Sequence, residues 1–224
     1  DYILFADHMR EDVVRKMELQ NSIIKALEEQ SIREIDKQFF IHMQPIMTVD
    51  EIVDGKPVIS RMDAEALIRW RHPEKGIITP DTFIPIAEET GLIIIIGKWV
   101  LYTATAQIEQ WTNKDKIDSR LAINVSPRQF NNDDLIDSIS RIVDFRGINA
   151  DMLQVEITEN SFLADPDEAV RKINKMKDMG IRIAIDDFGT GFSSVNYLRK
   201  LPVDVVKIDR SFIANIVESQ QDRS

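Results

Sequence analysis

The sequence predicts an α/β protein built as a modified TIM (β/α) barrel with an antiparallel first strand, C-terminally incomplete in this chain. Three observations predict it. From residue 121 onward, short β-branched apolar runs alternate with amphipathic helical stretches, the pattern of a parallel sheet with right-handed crossovers. Polar residues recur at the C-terminal ends of those runs, where a barrel places its chemistry. The first two strands are joined by an acidic connection containing Asp54-Gly55, a hairpin signal, and no helix fits between them. An open doubly wound sheet fits less well, because no Gly-rich phosphate loop follows the first strand and the polar residues come from five strand ends.

Taken in order, residues 11–30 have helical spacing, with Val13, Met17, Gln20, Ile24 and Leu27 alternately four and three apart. That stripe reads either as a coiled-coil-like seam or, more simply, as a linker helix lying on the domain surface. Residues 39–47 read as the first barrel strand and 58–70 as the second, on which Glu65, Leu67 and Arg69 share one face. Thr79-Pro80-Asp81 opens a helix that buries Phe83, Ile84, Ile86 and Ala87 and stops at Gly91. A second helix over 95–111 buries Ile96, Trp99, Val100, Ile108 and Trp111. Strands follow at 121–126, 153–159, 183–187 and 205–209, with helices at 133–145 (burying Leu135, Ile136, Ile139, Ile142 and Val143) and 167–179 (burying Val170, Ile173 and Met176). His8 and His72 read as surface or loop residues and His42, between apolar neighbours, as a packed one.

Composition narrows the function. A net charge of −10 argues against a nucleic-acid polymer as partner, although bound cations let an acidic site hold an anionic ligand. With no cysteine, disulfides, thiolate metal sites and a cysteine nucleophile are excluded, in keeping with a cytoplasmic domain, whether or not the parent protein is membrane-anchored. The longest apolar run is far short of the roughly 20 residues that cross a bilayer.

The adjacent Asp186 and Asp187 end a buried strand and open a glycine-bracketed loop. By themselves they fit a metal site and a side-chain-capped turn equally well. A barrel would bring them together with Glu65, Asn124, Glu156, Lys207 and Asp209, a set of hard oxygen donors that favours Mg²⁺ or Mn²⁺ over Zn²⁺. Two such ions suit in-line attack on a phosphodiester, and enolase-type proton abstraction fits the same residue types.

Glu65-Ala66-Leu67 within Glu-Ala-Leu-Ile-Arg-Trp, Asn124-Val125-Ser126, Glu156-Ile157-Thr158-Glu159, Asp186-Asp187-Phe188-Gly189-Thr190-Gly191 and Lys207-Ile208-Asp209 closely resemble, in order and spacing, the EAL-domain family of cyclic di-GMP phosphodiesterases. The resemblance spans about residues 39–216. It implies hydrolysis of cyclic di-GMP to linear pGpG with two Mg²⁺ or Mn²⁺ ions, Ca²⁺ being inhibitory. It further implies Glu65, Asn124, Glu156 and Asp186 as ligands of one metal, with Asp186 and Asp187 reaching towards the second. Lys207, Glu159 and Asp209 form the implied catalytic set: Lys207 assists the attacking water and Glu159 holds the loop. Gln44, Leu67 and Arg69 match positions that contact the dinucleotide.

Departures accompany the matches. Phe192 stands where the loop often has tyrosine, and Met43 where an aromatic often precedes Gln44-Pro45. Six strands can be counted, two short of a closed barrel, and the family's last two strands, one of them carrying a further metal-binding glutamate, are not matched. Residues 1–38 resemble the tail of a GGDEF domain and a linker helix, and 39–224 an EAL domain lacking about its last two βα units. The implied partners are cyclic di-GMP, an N-terminal GGDEF domain in the parent chain and, as a further option, a second copy in a homodimer. Catalysis is expected in the intact parent and little in the fragment. The competing reading is a non-hydrolysing cyclic di-GMP receptor or signalling scaffold.

Overall fold

The computed structural model describes residues 7–28, 38–163, 165–189 and 200–214. The expectations for residues 2–5 and for the loop at 190–198 lie outside them. The chain divides into two compact units, residues 1–42 with 68–100 and residues 43–67 with 101–224.

In the first unit, helix α1 (Asp7–Glu28) buries Leu19, Ile23 and Ala26, one face at four- and three-residue spacing. Lys16 pairs with Glu89, and Lys75 with Glu18 at 3.6 Å. The stripe expected from sequence is the adjacent one. Val13 and Met17 are exposed, while Gln20, Ile24 and Leu27 are half-buried. Two overlapping stripes satisfy the same spacing, and contact with α2 (Pro80–Thr90) selects the other. The core here is aromatic: Phe39 stacks on Trp70 at 5.7 Å between ring centroids, Phe83 meets Trp70 edge-on at 5.7 Å, and Trp99 lies 6.1 Å from Phe39. The Trp70 indole N–H donates to Gln38 at 3.2 Å, so its one polar atom is satisfied. As expected, α2 buries Phe83, Ile86 and Ala87 and stops at a left-handed Gly91; Ile84 is only half-buried.

Two histidine expectations are reversed. His72 is buried, because its Nδ1 accepts the backbone N–H groups of Glu74 and Lys75 at 3.1 and 3.2 Å and its ring packs edge-on against Trp70. His42 is exposed, with only an edge contact to Phe40.

The sheet begins with a long hairpin, β1 (Phe39–Val53) and β2 (Lys56–His72). Its turn is the Asp54-Gly55 pair, at φ 49° and 74°, the two positive values that a two-residue type I′ connection requires. A short strand not anticipated, β3 (Gly76–Ile78), pairs antiparallel with β2. Three residues are too few to show a period. From β2 the order runs through β4 (Leu121–Val125), β5 (Leu153–Thr158), β6 (Arg182–Phe188) and β7 (Val205–Ile208), every neighbouring pair parallel. The α/β class and the antiparallel first strand therefore stand as read from the sequence.

Helices α3 (Ile93–Gln110), α4 (Pro127–Phe130), α5 (Asp134–Arg146), α6 (Asn160–Leu163) and α7 (Pro166–Asp178) lie between successive strands, and α8 (Arg210–Ile213) follows β7. Their buried sides are narrower than expected. On α5 only Ile139 and Val143 are fully covered, Val170 of α7 is half-buried, and Trp111 falls in a π-helical turn after α3. Strand β5 is buried on both faces, as the strands of a covered parallel sheet are. Asp63 locks β2 against β4: its Oδ1 accepts from Arg120 N at 2.8 Å and Arg61 Nε at 2.7 Å, and Ala64 N donates to Arg120 O at 2.9 Å. That pairing sets Glu65 opposite Ala122. Among the described residues no helix is long and apolar enough to cross a membrane.

Candidate active site

Parallel strands deliver their C-terminal ends to one edge, and alternation sends every second side chain to one face. Asn124 of β4 stands in register with Glu156 of β5, and Thr158 of β5 with Asp186 of β6. Carboxylate oxygens of Glu65, Glu156 and Asp186 thereby converge, all within 4.8 Å of one another. The Lys207 ammonium, from β7, sits among them at 3.1 Å from Glu65 Oε2, 2.5 Å from Glu156 Oε2 and 3.0 Å from Asp186 Oδ2. Asn124 Nδ2 donates to Glu65 Oε1 at 2.7 Å. Glu65, Glu156 and Lys207 line a cavity of about 380 Å³ to which Gln44 of β1 also contributes.

Three carboxylates against one ammonium leave two negative charges uncompensated. At an effective dielectric of about 20, each like-charge pair at this separation repels by roughly 3–4 kcal/mol. Burial pushes the Glu156 carboxyl above its ordinary range; the Lys207 ammonium opposes this, and Glu65 and Asp186 reinforce it. Burial by itself lowers Lys207, but the hydrogen bond to Glu156 and the charges of Glu156, Glu65 and Asp186 together outweigh it and hold the ammonium strongly protonated. Lys207 is therefore held as a cation and hydrogen-bond donor among the three carboxylates.

The loop residues are placed by a second set of contacts. Glu159 is buried and its Oε1 accepts the Gly189 N–H at 2.7 Å. Asp187 adopts φ 53°, donates its N–H to Asp186 Oδ1 at 3.0 Å and is exposed, so it stands outside the trio of converging carboxylates. Partial burial and the nearby Asp186 and Asp209 raise its carboxyl above the usual range, with Lys207 opposing. Asp209 caps α8, accepting from Ser211 N at 2.9 Å and from the Ser211 hydroxyl; the hydroxyl bond is the main cause of its lowered pKa. Leu67 is half-buried on β2, and the Arg69 guanidinium donates to the Ile68 carbonyl at 2.8 Å.

Gly189 is required at its position for two reasons. Its φ is 101°, and a Cβ there would lie 2.6 Å from the Phe212 ring. Gly189→Ala is expected to destabilise the protein by about 1–3 kcal/mol in urea unfolding. Adding Phe212→Ala should recover part of that loss, and an unchanged midpoint in the single variant would refute this account.

One residue escaped the sequence reading. Gln154 lies two positions before Glu156 on the same face of β5, and its Nε2 donates to Glu156 Oε1 at 2.9 Å. Strand alternation alone was signal enough to find it.

Comparison with known proteins places this geometry. The EAL domain family model matches residues 24–224. The chain is 35% identical over 221 residues to the bifunctional diguanylate cyclase/cyclic di-GMP phosphodiesterase MucR of Pseudomonas aeruginosa, covering 99% of the chain and 30% of MucR. It is 32% identical over 215 residues to the cyclic di-GMP phosphodiesterase PdeR of Escherichia coli K12, covering 96% of the chain and 30% of PdeR. The solved MucR phosphodiesterase in complex with c-di-GMP superposes with a TM-score of 0.78 at 35% identity, over 92% of this chain and 78% of that one. The chain thus spans about a third of these curated relatives and most of the solved domain. On these matches and the shared fold, the chain belongs to the EAL domain family.

Proposed function

We propose that this chain is the hydrolytic part of a divalent-metal-dependent phosphodiesterase that opens cyclic di-GMP to linear pGpG in the intact parent protein. The observation that carries the reading is the convergence of Glu65, Glu156 and Asp186, whose oxygens lie within 4.8 Å of one another around the Lys207 ammonium, with two charges left uncompensated. This oxygen-only donor set, with the Asn124 side chain beside it, fits Mg²⁺ or Mn²⁺. Asp187, next to Asp186, is the carboxylate through which a second ion would be held. When bound, such ions offset the carboxylate charge and acidify a water for in-line attack on phosphorus.

The chain's own residues do the rest. Lys207, kept protonated, donates to the attacking water or to the phosphoryl oxygens. Glu159 holds Gly189 and with it the turn that carries Asp186 and Asp187. Asp209 acts by fixing the start of α8 directly after the Lys207 strand. Gln44 lines the cavity and in this reading contacts the dinucleotide; Leu67 and Arg69 are carried as dinucleotide contacts by the family motif alone. A receptor that only binds the nucleotide has no use for three like charges held this close, which favours hydrolysis over the receptor reading. Among the described residues β1 and β7 are each paired on one side in the strand path, so the 224-residue chain alone is expected to turn over weakly. Residues 1–38 belong, in the same reading, to the tail of a preceding GGDEF domain and its linker.

Incubating the full-length protein with cyclic di-GMP and Mn²⁺ or Mg²⁺ should yield pGpG by chromatography. Chelation should stop the reaction, and Ca²⁺ should fail to support it. Tight nucleotide binding with no pGpG under either active ion would overturn the assignment in favour of the receptor.

A further inference from the structure

We infer that Gln154 is a positioning residue for the metal centre, holding Oε1 of Glu156 so that Oε2 faces the middle of the carboxylate cage; the inference rests on the metal-dependent reading above. The terminal torsion of a glutamate is broad and roughly two-fold, so a carboxylate gripped at one oxygen by a flexible lysine is free to swing. Glu156 is gripped at both. Lys207 takes Oε2 at 2.5 Å and Gln154 Nε2 takes Oε1 at 2.9 Å. Glu156 is 1% exposed and Gln154 9%, and both line the same cavity.

The arrangement has a counterpart two strands away. Glu65 also has one oxygen bound by a side-chain amide, Asn124 Nδ2 at 2.7 Å, and the other by Lys207 at 3.1 Å. Each glutamate is thus clamped by an amide on Oε1 and turned by it to present Oε2. The amide on Glu65 comes from a residue in the expected ligand set. The amide on Glu156 comes from Gln154, in register with Ala122 of β4 and Arg182 of β6 and two residues before Glu156 on β5. Partners of this kind orient a ligand before the cation arrives, and losing one typically weakens metal binding about 10–100-fold.

The test is calorimetric titration of Mn²⁺ into the metal-free full-length protein. Gln154→Met keeps the volume and removes the donor, and Gln154→Asn keeps an amide that is one methylene too short to reach. Both are expected to weaken Mn²⁺ binding about tenfold or more, with an unfolding midpoint near that of the unaltered protein. In a Glu156→Asp background, where the carboxylate has withdrawn from Gln154, adding Gln154→Met should change affinity less than about twofold. Unchanged affinity in both single variants overturns the inference, and so does an equal loss in the two backgrounds. An unaltered protein that binds no Mn²⁺ overturns the metal-centre reading itself and this inference with it. Normal Mn²⁺ binding in the unaltered protein, matched by Gln154→Met, overturns this inference alone.

Discussion

Glu65→Ala in the full-length protein is expected to lower turnover of cyclic di-GMP by about a thousandfold or more, equivalent to about 4 kcal/mol of lost transition-state stabilisation. The size follows from what Glu65 does. Its two oxygens accept from Asn124 at 2.7 Å and Lys207 at 3.1 Å, and it is one of three carboxylates within 4.8 Å. Without it a cation meets two carboxylates instead of three, and the Asn124 amide loses the acceptor that orients it. Stability should change little. Glu65 repels Glu156 in the cage, so its removal relieves repulsion while it costs two hydrogen bonds. Glu65→Gln withdraws the charge and leaves one acceptor oxygen where two served Asn124 and Lys207, and its turnover should fall nearly as far. Rate assays on both variants, with Mn²⁺ titrations and urea unfolding alongside, decide the matter. Turnover within about tenfold of the unaltered protein in Glu65→Ala would remove Glu65 from the centre.

What the sequence disclosed and what it withheld divide along the range of the interactions. The Asp54-Gly55 hairpin was legible because a two-residue turn with two positive φ values is a local requirement that few residue pairs meet. The parallel strands were legible because runs such as Ile183-Ala184-Ile185 on β6 are apolar on both faces, and a strand end carrying a carboxylate is conspicuous after such a run. The histidines were misread because burial of His72 is decided by two backbone N–H groups from the following turn and by the Trp70 ring, which hydropathy does not report. The stripe on α1 was displaced because Val13, Met17, Ile24 and Leu27 have the same spacing as the residues that reach α2. Adjacency of Asp186 and Asp187 does not tell which of the two joins Glu65 and Glu156: Asp186 does, and Asp187, at φ 53°, stands exposed beside it. The strand period does not carry that information.

Lys207 is the case where non-local register matters most, and Lys207→Met is expected to separate binding from chemistry. The ammonium touches carboxylates that come from β2, β5 and β6, so it occupies the place where their field is strongest. A divalent cation entering the cage must displace that charge or share the carboxylates with it. Methionine fills a similar volume without the charge. In the absence of divalent ions the variant should be less stable than the unaltered protein, because three carboxylates repelling by roughly 3–4 kcal/mol per pair then have no cation among them. Mn²⁺ should bind the variant tighter by about tenfold or more, a gain of about 1.4 kcal/mol, and should raise its unfolding midpoint by more than it raises that of the unaltered protein. Turnover should nevertheless collapse, since no group remains to donate to the water or the phosphoryl oxygens from that side. Tighter metal binding with lost turnover is a combination that general damage to the fold does not produce. If Lys207→Met instead binds Mn²⁺ more weakly, the ammonium is helping to assemble the cage for the metal and is not its competitor, and the electrostatic account of the site has the wrong sign.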